Sequence, residues 1–299
     1  MCLSHIKEKI PYLINAEQIS ELNKGFSHDQ KYVIDQQYLL RLFSSEKQDK
    51  RKEEFETIKT LSTYSSFVPA GIQFGTLHDI NRSYMLLTYI PGQDGEEALK
   101  DLTEKEQYTA GYSSGQELKH LHQLKAPPNY PSWFSVKQKK NDRYLADFKD
   151  LDLAKSIKET IISYIRENEL LMKGRPNRFQ HDDFHPSNLV IHNKRFSGII
   201  DFQRMDWGDP IHDLQKLGFF SKQVSIEFTK GIIDGYHEGK RIDESFWRLY
   251  NFYSAVHIVP ALVWGKRISQ NQYTFMLERS LEVMEDHDQF RCEVPKWYK

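Results

Sequence analysis

The sequence has almost no cysteine. Of its 299 residues only Cys2 and Cys292 carry thiols, near opposite ends and without CxxC spacing. This excludes a disulfide framework and a cysteine-based zinc site, and it indicates a reducing compartment, the cytoplasm. Net charge is also scarce. The formal value of -1 gives no electrostatic basis for binding nucleic acid or an anionic membrane, so neither is expected as a partner.

Long hydrophobic runs are missing as well. The longest, residues 254–264, contains His257 and Pro260 and is too short to span a bilayer, so it predicts a buried helix. The first ten residues carry charges and no continuous apolar core, which is not the pattern of a signal peptide. A chain of 299 residues exceeds one typical domain and suits a two-lobed enzyme with a sizeable core.

The most informative part of the sequence is residues 181–201, which read HDDFHPSNLVIHNKRFSGIID. Asp183 and Asn188 lie in its polar first part. Two short apolar runs follow, joined at Asn193-Lys194, and the stretch ends on Asp201. This pattern predicts a β-hairpin that holds a loop carboxylate and a terminal carboxylate side by side.

These residue types suit phosphoryl transfer, which needs positioning and neutralisation of phosphate charge more than covalent chemistry. Asp183 would orient the attacking hydroxyl and accept its proton, while Asn188 and Asp201 would hold Mg²⁺ against the nucleotide. The spacing D-x-x-x-x-N, from Asp183 to Asn188, is the one that kinases use. Ordinary turn chemistry is the alternative, because Asp and Asn side chains commonly bond local backbone.

Three motifs in order, HDDFHPSN, IIDF and WGDPIHDL, resemble the aminoglycoside phosphotransferase family of small-molecule kinases, which includes choline-kinase-like enzymes. The family usually writes the loop HGDxxxxN, and Asp182 stands here where Gly is common. The resemblance implies an α+β, protein-kinase-like two-lobed fold. Residues 1–90 would form a nucleotide-binding lobe with an antiparallel sheet, and residues 91–299 a larger, mostly helical lobe for catalysis and acceptor binding.

Within the first lobe, the small-residue turn with Gly25 and Ser27 would let backbone N–H groups approach phosphate. Arg41 interrupts the apolar strand YLLRLF, where a charge needs a partner. The resemblance assigns Arg41 to the phosphates and pairs it with Glu54, with Glu53 in reserve. An edge strand with Arg41 in solvent is the alternative. The preceding run KQDKRKEE is interpreted as a solvated helix start.

The segment TYIPG matches the family's hinge between lobes. The resemblance implies that adenine lies against this strand and bonds the backbone of Thr88, Tyr89 and Ile90. Their side chains carry no signal for this, since backbone atoms make the contacts.

In the second lobe, Thr103 and Glu106 form a capping box that starts a helix. Residues 126–134 are expected to form a Pro-rich loop, and residues 152–172 an amphipathic helix. Several polar residues with attractive chemistry are interpreted as structural, bonding backbone or core neighbours rather than metal or substrate: His122, His181, His185, Asp209 and Asp213.

The predicted reaction transfers the γ-phosphoryl group of ATP or GTP, with Mg²⁺, to a hydroxyl of a small and cationic acceptor. An aminoglycoside antibiotic is the favoured acceptor, attracted by carboxylates, and antibiotic resistance the implied role. Choline or an amino alcohol would need an aromatic cage instead, for which candidates exist in number: Trp207, Trp247, Tyr250 and Tyr253. A macrolide acceptor and a catalytically silent nucleotide-binding module are the remaining alternatives.

Overall fold

The computed structural model describes residues 6–23 and 29–299, and the N-terminal part of these is built on an antiparallel sheet. Helix α1 (Pro11–Ile14) precedes the sheet, and helix α2 (Gln48–Tyr64) connects its third and fourth strands. The five strands lie in the order β1-β2-β3-β5-β4. They are β1 (Ile19–Glu21), β2 (Gln30–Ile34), β3 (Tyr38–Ser44), β4 (Gly71–Leu77) and β5 (Arg82–Thr88).

Alternation along β3 gives the sheet two different faces. Leu40 and Leu42 point to a small core that includes the residues around α1. Phe43 points to the other side, where it joins the main core together with Phe55 of α2. Arg41 shares the Phe43 face, because side chains two residues apart in a strand lie on one side. The strand therefore delivers a guanidinium to the side of the sheet that carries α2.

The rest of the chain is mostly helical. Its helices are α3 (Gly95–Ala98), α4 (Glu104–Leu121), α5 (Trp133–Lys149), α6 (Lys155–Asn168), α7 (Ile226–Tyr236), α8 (Glu244–Ile268) and α9 (Gln270–Asp286). Short strands accompany them: β6 (Gln93–Asp94), β7 (Arg178–Gln180), β8 (Leu189–His192), β9 (Arg195–Ile199) and β10 (Asp206–Gly208). The predicted sheet lobe and larger helical lobe are confirmed. No helix in the described ranges is long and apolar enough to cross a membrane.

Several local predictions are confirmed. Strands β8 and β9 pair as a hairpin whose turn residues, Asn193 and Lys194, have φ of 48° and 63°, as a two-residue hairpin turn requires. Thr103 and Glu106 form the reciprocal capping box of α4. The apolar run 254–264 lies in the buried helix α8. Local sequence chemistry was sufficient for each of these elements.

Helix α5 was not predicted. The sequence indicated a loop through residues 126–134, but Ser132 caps a helix that begins at Trp133. Its buried positions include Lys137 among the apolar residues, which breaks the apolar stripe that marks an amphipathic helix. The predicted helix over residues 152–172 is also shorter, since α6 ends at Asn168 and a 3₁₀ turn follows.

Glycines allow helices α4 and α7 to touch backbone to backbone. A Cβ atom added at Gly115 would lie 2.0 Å from the carbonyl oxygen of Ile232, and one at Gly235 would lie 1.9 Å from that of Tyr112. Gly111 and Gly231 make similar approaches. Four small residues therefore set the spacing of this helix pair, and no larger side chain fits without moving a helix.

We expect Gly235→Ala to destabilise the protein. Alanine normally favours a helix by about 1 kcal/mol over glycine, but here its methyl group meets a backbone atom that cannot rotate away. Overpacking of this kind costs about 1–3 kcal/mol, measurable as a lower free energy of unfolding in urea. Gly218→Ala is the matched control, because its Cβ would lie 3.4 Å from Val283. Equal losses in both variants would contradict the close helix contact.

Candidate active site

The loop between β7 and β8 is fixed by a buried carboxylate and by a histidine of the loop itself. Asp213 accepts hydrogen bonds from the backbone N–H groups of His181 and Asp182, both at 2.6 Å. The N–H of Asp183 donates to His181 Nδ1 at 3.2 Å, so His181 Nε2 carries the proton and donates to the carbonyl of Ile200 at 2.9 Å. The loop is thereby tied to the end of β9.

These ties bring the predicted base and metal ligands to one place. Asn188 Nδ2 donates to the carbonyl oxygen of Asp183 at 2.9 Å. Ile200, directly before Asp201, donates its N–H to the carbonyl of Asn188 at 3.0 Å. In the turn after Asp201, Arg204 places Nε 3.5 Å from Asp183 Oδ2. The hairpin thus gathers Asp183, Asn188 and Asp201 at its open end.

Asp183 lies among basic side chains. Lys216 Nζ donates to its Oδ1, and His185 Nε2 lies 3.6 Å from the same oxygen. Burial by itself would raise the pKa of Asp183, but the adjacent His185 and Lys216 outweigh it and hold that pKa well below its usual range. The carboxylate is therefore ionised and can accept a hydrogen bond from a hydroxyl.

Asn188 and Asp201 present oxygen atoms of the kind that magnesium prefers. Asp201 Oδ1 is buried and has no hydrogen-bond donor within residues 6–23 and 29–299, although Arg41 Nη2 lies 3.8 Å away. Because Asn188 uses its amide nitrogen on the loop, its oxygen is the atom left for a cation. Magnesium usually takes only one or two protein ligands beside phosphates and water. The pair fits that cation.

A zinc-type site is a different case. In the described parts of the chain no three His, Cys, Asp or Glu side chains are grouped so that they could hold a metal ion. Asn188 and Asp201, one amide oxygen and one carboxylate, do not form such a group.

Arg41 belongs to a buried network of four charges. Its Nη1 donates to Glu54 Oε1 at 3.2 Å, and its Nη2 donates to Asp29 Oδ2 at 2.9 Å. Arg51 donates to Glu54 Oε2 at 2.5 Å and also bonds Asp29. The predicted contact between Arg41 and Glu54 is therefore present. The edge-strand alternative is wrong, since β3 is central in the sheet and Arg41 is 3% exposed.

Arg51 and Asp29 were missed by the sequence analysis. The run KQDKRKEE was interpreted as solvated, but Arg51 is only 2% exposed and its guanidinium lies 4.7 Å from the centroid of the Phe43 ring. The available signal was the three-residue spacing from Arg51 to Glu54, which places both on one helix face. The interpretation holds for Lys52, which is exposed.

The residues of the predicted hinge are only partly free to bond a base. Thr88 donates its N–H to the carbonyl of Ala70 at 2.9 Å, and Tyr89 donates its own to Gln37 at 2.7 Å. Of the three residues predicted to bond adenine, only Ile90 keeps a backbone N–H with no acceptor in the described ranges. Gly25 and Ser27, predicted to approach phosphate, lie outside the described residues.

Asp209 and His122 bond core and backbone neighbours, as was expected of structural residues, and Asp213 and His181 do so in the ties described above. Asp209 caps the 3₁₀ helix Pro210–Lys216 through the N–H of Ile211, and it binds Arg175 at 2.6 Å and the hydroxyl of Tyr253 at 2.8 Å. His122 is satisfied at both ring nitrogens, by Asp213 at 3.0 Å and by the Tyr236 hydroxyl at 2.9 Å.

A cleft of about 410 Å³ opens beside this site. Asp182 and Arg204 place it next to Asp183, and α2 supplies its opposite wall. Its size is within the range of small-molecule sites. The lining is rich in charge of both signs: Lys50, Glu53, Glu54, Tyr130, Lys140, Asp182, Gln203, Arg204, Met205, Asp206 and Trp207.

We expect Arg51→Met to lower the free energy of unfolding by about 3 kcal/mol, because removing one partner of a buried ion network leaves charge uncompensated. Lys52→Met, at the next and exposed position of the same helix, is the control and should change stability by less than about 0.5 kcal/mol. Urea denaturation of both variants measures this. Equal stability of the two would show that Arg51 is not needed in the network.

Several solved structures have a fold similar to that of this chain. The streptomycin–ATP complex of APH(2")-IIa is similar, with a TM-score of 0.68 at 20% identity over 94% of this chain and 97% of that one. The GDP and kanamycin complex of APH(2")-IIIa gives 0.73 at 16% identity, over 95% and 98%. A choline/ethanolamine kinase family protein from Mesorhizobium loti gives 0.70 at 16% identity, over 98% of both chains. These likenesses confirm the protein-kinase-like, two-lobed fold.

No curated protein sequence matches this chain. The sequence pattern of the phosphotransferase enzyme family matches residues 18–250, which is most of the chain. Together with the hairpin that gathers Asp183, Asn188 and Asp201, this match identifies the chain: it belongs to the phosphotransferase enzyme family, APH.

Proposed function

We propose that the protein transfers the γ-phosphoryl group of ATP or GTP to a hydroxyl of a small molecule. The observation that carries this proposal is the meeting of an ionised Asp183 with the oxygen pair Asn188 and Asp201 beside an open cleft. Phosphoryl transfer needs a carboxylate that accepts the proton of a hydroxyl, a position for a metal ion and room for a substrate. In this proposal the three lie side by side.

Each group has a defined task in this mechanism. The acceptor oxygen attacks the γ-phosphorus, the bond from that phosphorus to the β-phosphate oxygen breaks, and the nucleoside diphosphate leaves. Asp183 orients the hydroxyl and takes its proton. Asn188 and Asp201 would hold Mg²⁺, which neutralises phosphate charge. Arg41, held by Glu54, would lie on the side of the site that faces the phosphates. The turn with Gly25 and Ser27 would cover the phosphates.

The base of the nucleotide would lie at the hinge, against Thr88, Tyr89 and Ile90. The free N–H of Ile90 supports a backbone bond to the purine there. Residues 1–90 would thus bind the nucleotide, and residues 91–299 would supply the catalytic loop and the acceptor site.

For the acceptor we propose an aminoglycoside. Glu53, Asp182 and Asp206 line the cleft, and amino groups of such a sugar would meet them. Burial raises the pKa of Asp182, so an exposed carboxylate such as Glu53 can meet a cation at a lower cost in desolvation. Related folds in complex with kanamycin and gentamicin agree with this class of acceptor.

The other acceptors have less support. An aromatic cage for choline would need exposed rings, but Trp247, Tyr250 and Tyr253 lie in the core, and of the four candidate aromatics only Trp207 lines the cleft. A silent nucleotide-binding module would be expected to lack the base or a metal ligand. This chain retains Asp183, Asn188 and Asp201, which favours a working enzyme.

We expect Asp183→Ala to keep nucleotide binding and to lose turnover. Loss of a general base lowers kcat by about 10²–10⁴-fold, while the groups that would contact the nucleotide remain. Phosphate transfer assays and nucleotide titration measure the two effects. Asp201→Ala is the contrast, since it should weaken binding of the nucleotide in a magnesium-dependent way. Normal turnover by Asp183→Ala would remove that residue from the mechanism.

A panel of kanamycin, erythromycin and choline tests the acceptor. We expect phosphorylation of kanamycin, with a KM that rises with salt because screening weakens attraction to carboxylates. Glu53→Gln should raise that KM by about 2- to 5-fold, the effect of one partly exposed ion pair. Glu56→Gln, exposed on the same helix but outside the cleft lining, is its control. Phosphorylation of choline alone would overturn the aminoglycoside proposal.

A further inference from the structure

Lys216 makes two bonds to the loop that carries Asp183. It is the last residue of the 3₁₀ helix Pro210–Lys216, and its side chain is 8% exposed. Its Nζ donates to Asp183 Oδ1 and, at 2.7 Å, to the carbonyl oxygen of Asp182. A buried ammonium is stable only with such acceptors. The lysine therefore links the carboxylate to the backbone of its own loop.

An irregular helix delivers this side chain. The 3₁₀ helix ends at Lys216, and a π-helical segment, Leu217–Ser221, follows at once, closed by the bond from Lys222 N–H to the Leu217 carbonyl at 3.1 Å. Such π segments are rare and are frequent at functional sites. The same segment places the Phe220 ring 5.4 Å from the His185 ring, centroid to centroid. Lys216 and Phe220, in two consecutive helical segments, thus contact Asp183 and His185 of the same loop.

The other basic side chains near Asp183 are placed differently. Arg204 lies 3.5 Å from Oδ2, but its side chain is 58% exposed and can swing toward an incoming phosphate. His185 lies 3.6 Å from Oδ1, beyond hydrogen-bond distance. Only Lys216, of the three, is both buried and hydrogen-bonded. It is the partner whose loss would free the carboxylate to rotate.

We propose that Lys216 is a positioning residue of the phosphoryl transfer, which holds one oxygen of Asp183 so that the other faces the acceptor hydroxyl. This inference rests on the proposed function and extends it to a residue that contacts neither nucleotide nor acceptor. Fixed orientation of a reacting group contributes strongly to rate, and a displacement of about 1 Å can cost about 10²-fold. The effect of Lys216 should therefore fall on kcat and reach the reaction only through Asp183.

The test compares Lys216→Met with wild type, using Mg²⁺–ATP and Mg²⁺–GTP, each with kanamycin as acceptor and each with water alone. We expect kcat to fall by about 10- to 100-fold with the nucleotide KM unchanged within about twofold. Lys216→Arg keeps the charge and should recover part of kcat. Lys222→Met is the matched control, since Lys222 follows the same segment but pairs with Asp286. It should leave kcat unchanged.

A double-mutant cycle separates positioning from a structural role. If Lys216 acts through Asp183, then adding Lys216→Met to Asp183→Asn lowers kcat no further, measured by single-turnover assays with excess enzyme. A merely structural lysine would lower kcat by the same factor in both backgrounds. Melting temperatures of all variants show that the folded protein is being compared.

The outcomes distinguish this inference from the function beneath it. If the wild-type protein transfers phosphate to neither kanamycin nor water, both the proposed function and the role of Lys216 are contradicted. If the wild type is active but Lys216→Met has a normal kcat, only the role of Lys216 is overturned. Additive losses in the double-mutant cycle would overturn it as well. A kcat loss that disappears in the Asp183→Asn background supports it.

Discussion

The placement of the candidate active-site loop depends on one buried carboxylate, Asp213. It accepts the N–H groups of His181 and Asp182 and is itself bonded by His122. Buried backbone donors are costly to leave unpaired, so these bonds fix the path of the loop as well as stabilise it. Asp209 anchors the 3₁₀ helix that carries Asp213. The candidate site is therefore held in place by buried charged residues, of which Asp209 and Asp213 lie outside the lining of the cleft.

A second set of charges connects the sheet to the helical lobe. Arg41, on the central strand, reaches Gln203 at 3.2 Å in the turn that follows Asp201. Its other bonds go to Asp29 and Glu54. Burying four charges is favourable only because each has partners. This arrangement aligns the sheet, helix α2 and the end of the hairpin as one unit.

The sequence predicted what local chemistry determines. Asn193-Lys194 between two apolar runs indicated the hairpin, and a lone Arg41 in an apolar strand indicated a buried partner. What it could not predict depends on contacts distant in sequence. Asp29 lies 22 residues from Arg51, and Lys216 lies 33 residues from Asp183. Helix α5 was missed for a related reason, since Lys137 is buried against His212, a partner 75 residues away.

The four-charge network has a consequence for control of the protein. In many kinases the link between a strand cation and a helix carboxylate forms only after a signal has moved the helix. Here Arg51 and Asp29, both of the same chain, add further ion pairs to that link. In this structure the strand cation Arg41 is already paired with the helix carboxylate Glu54.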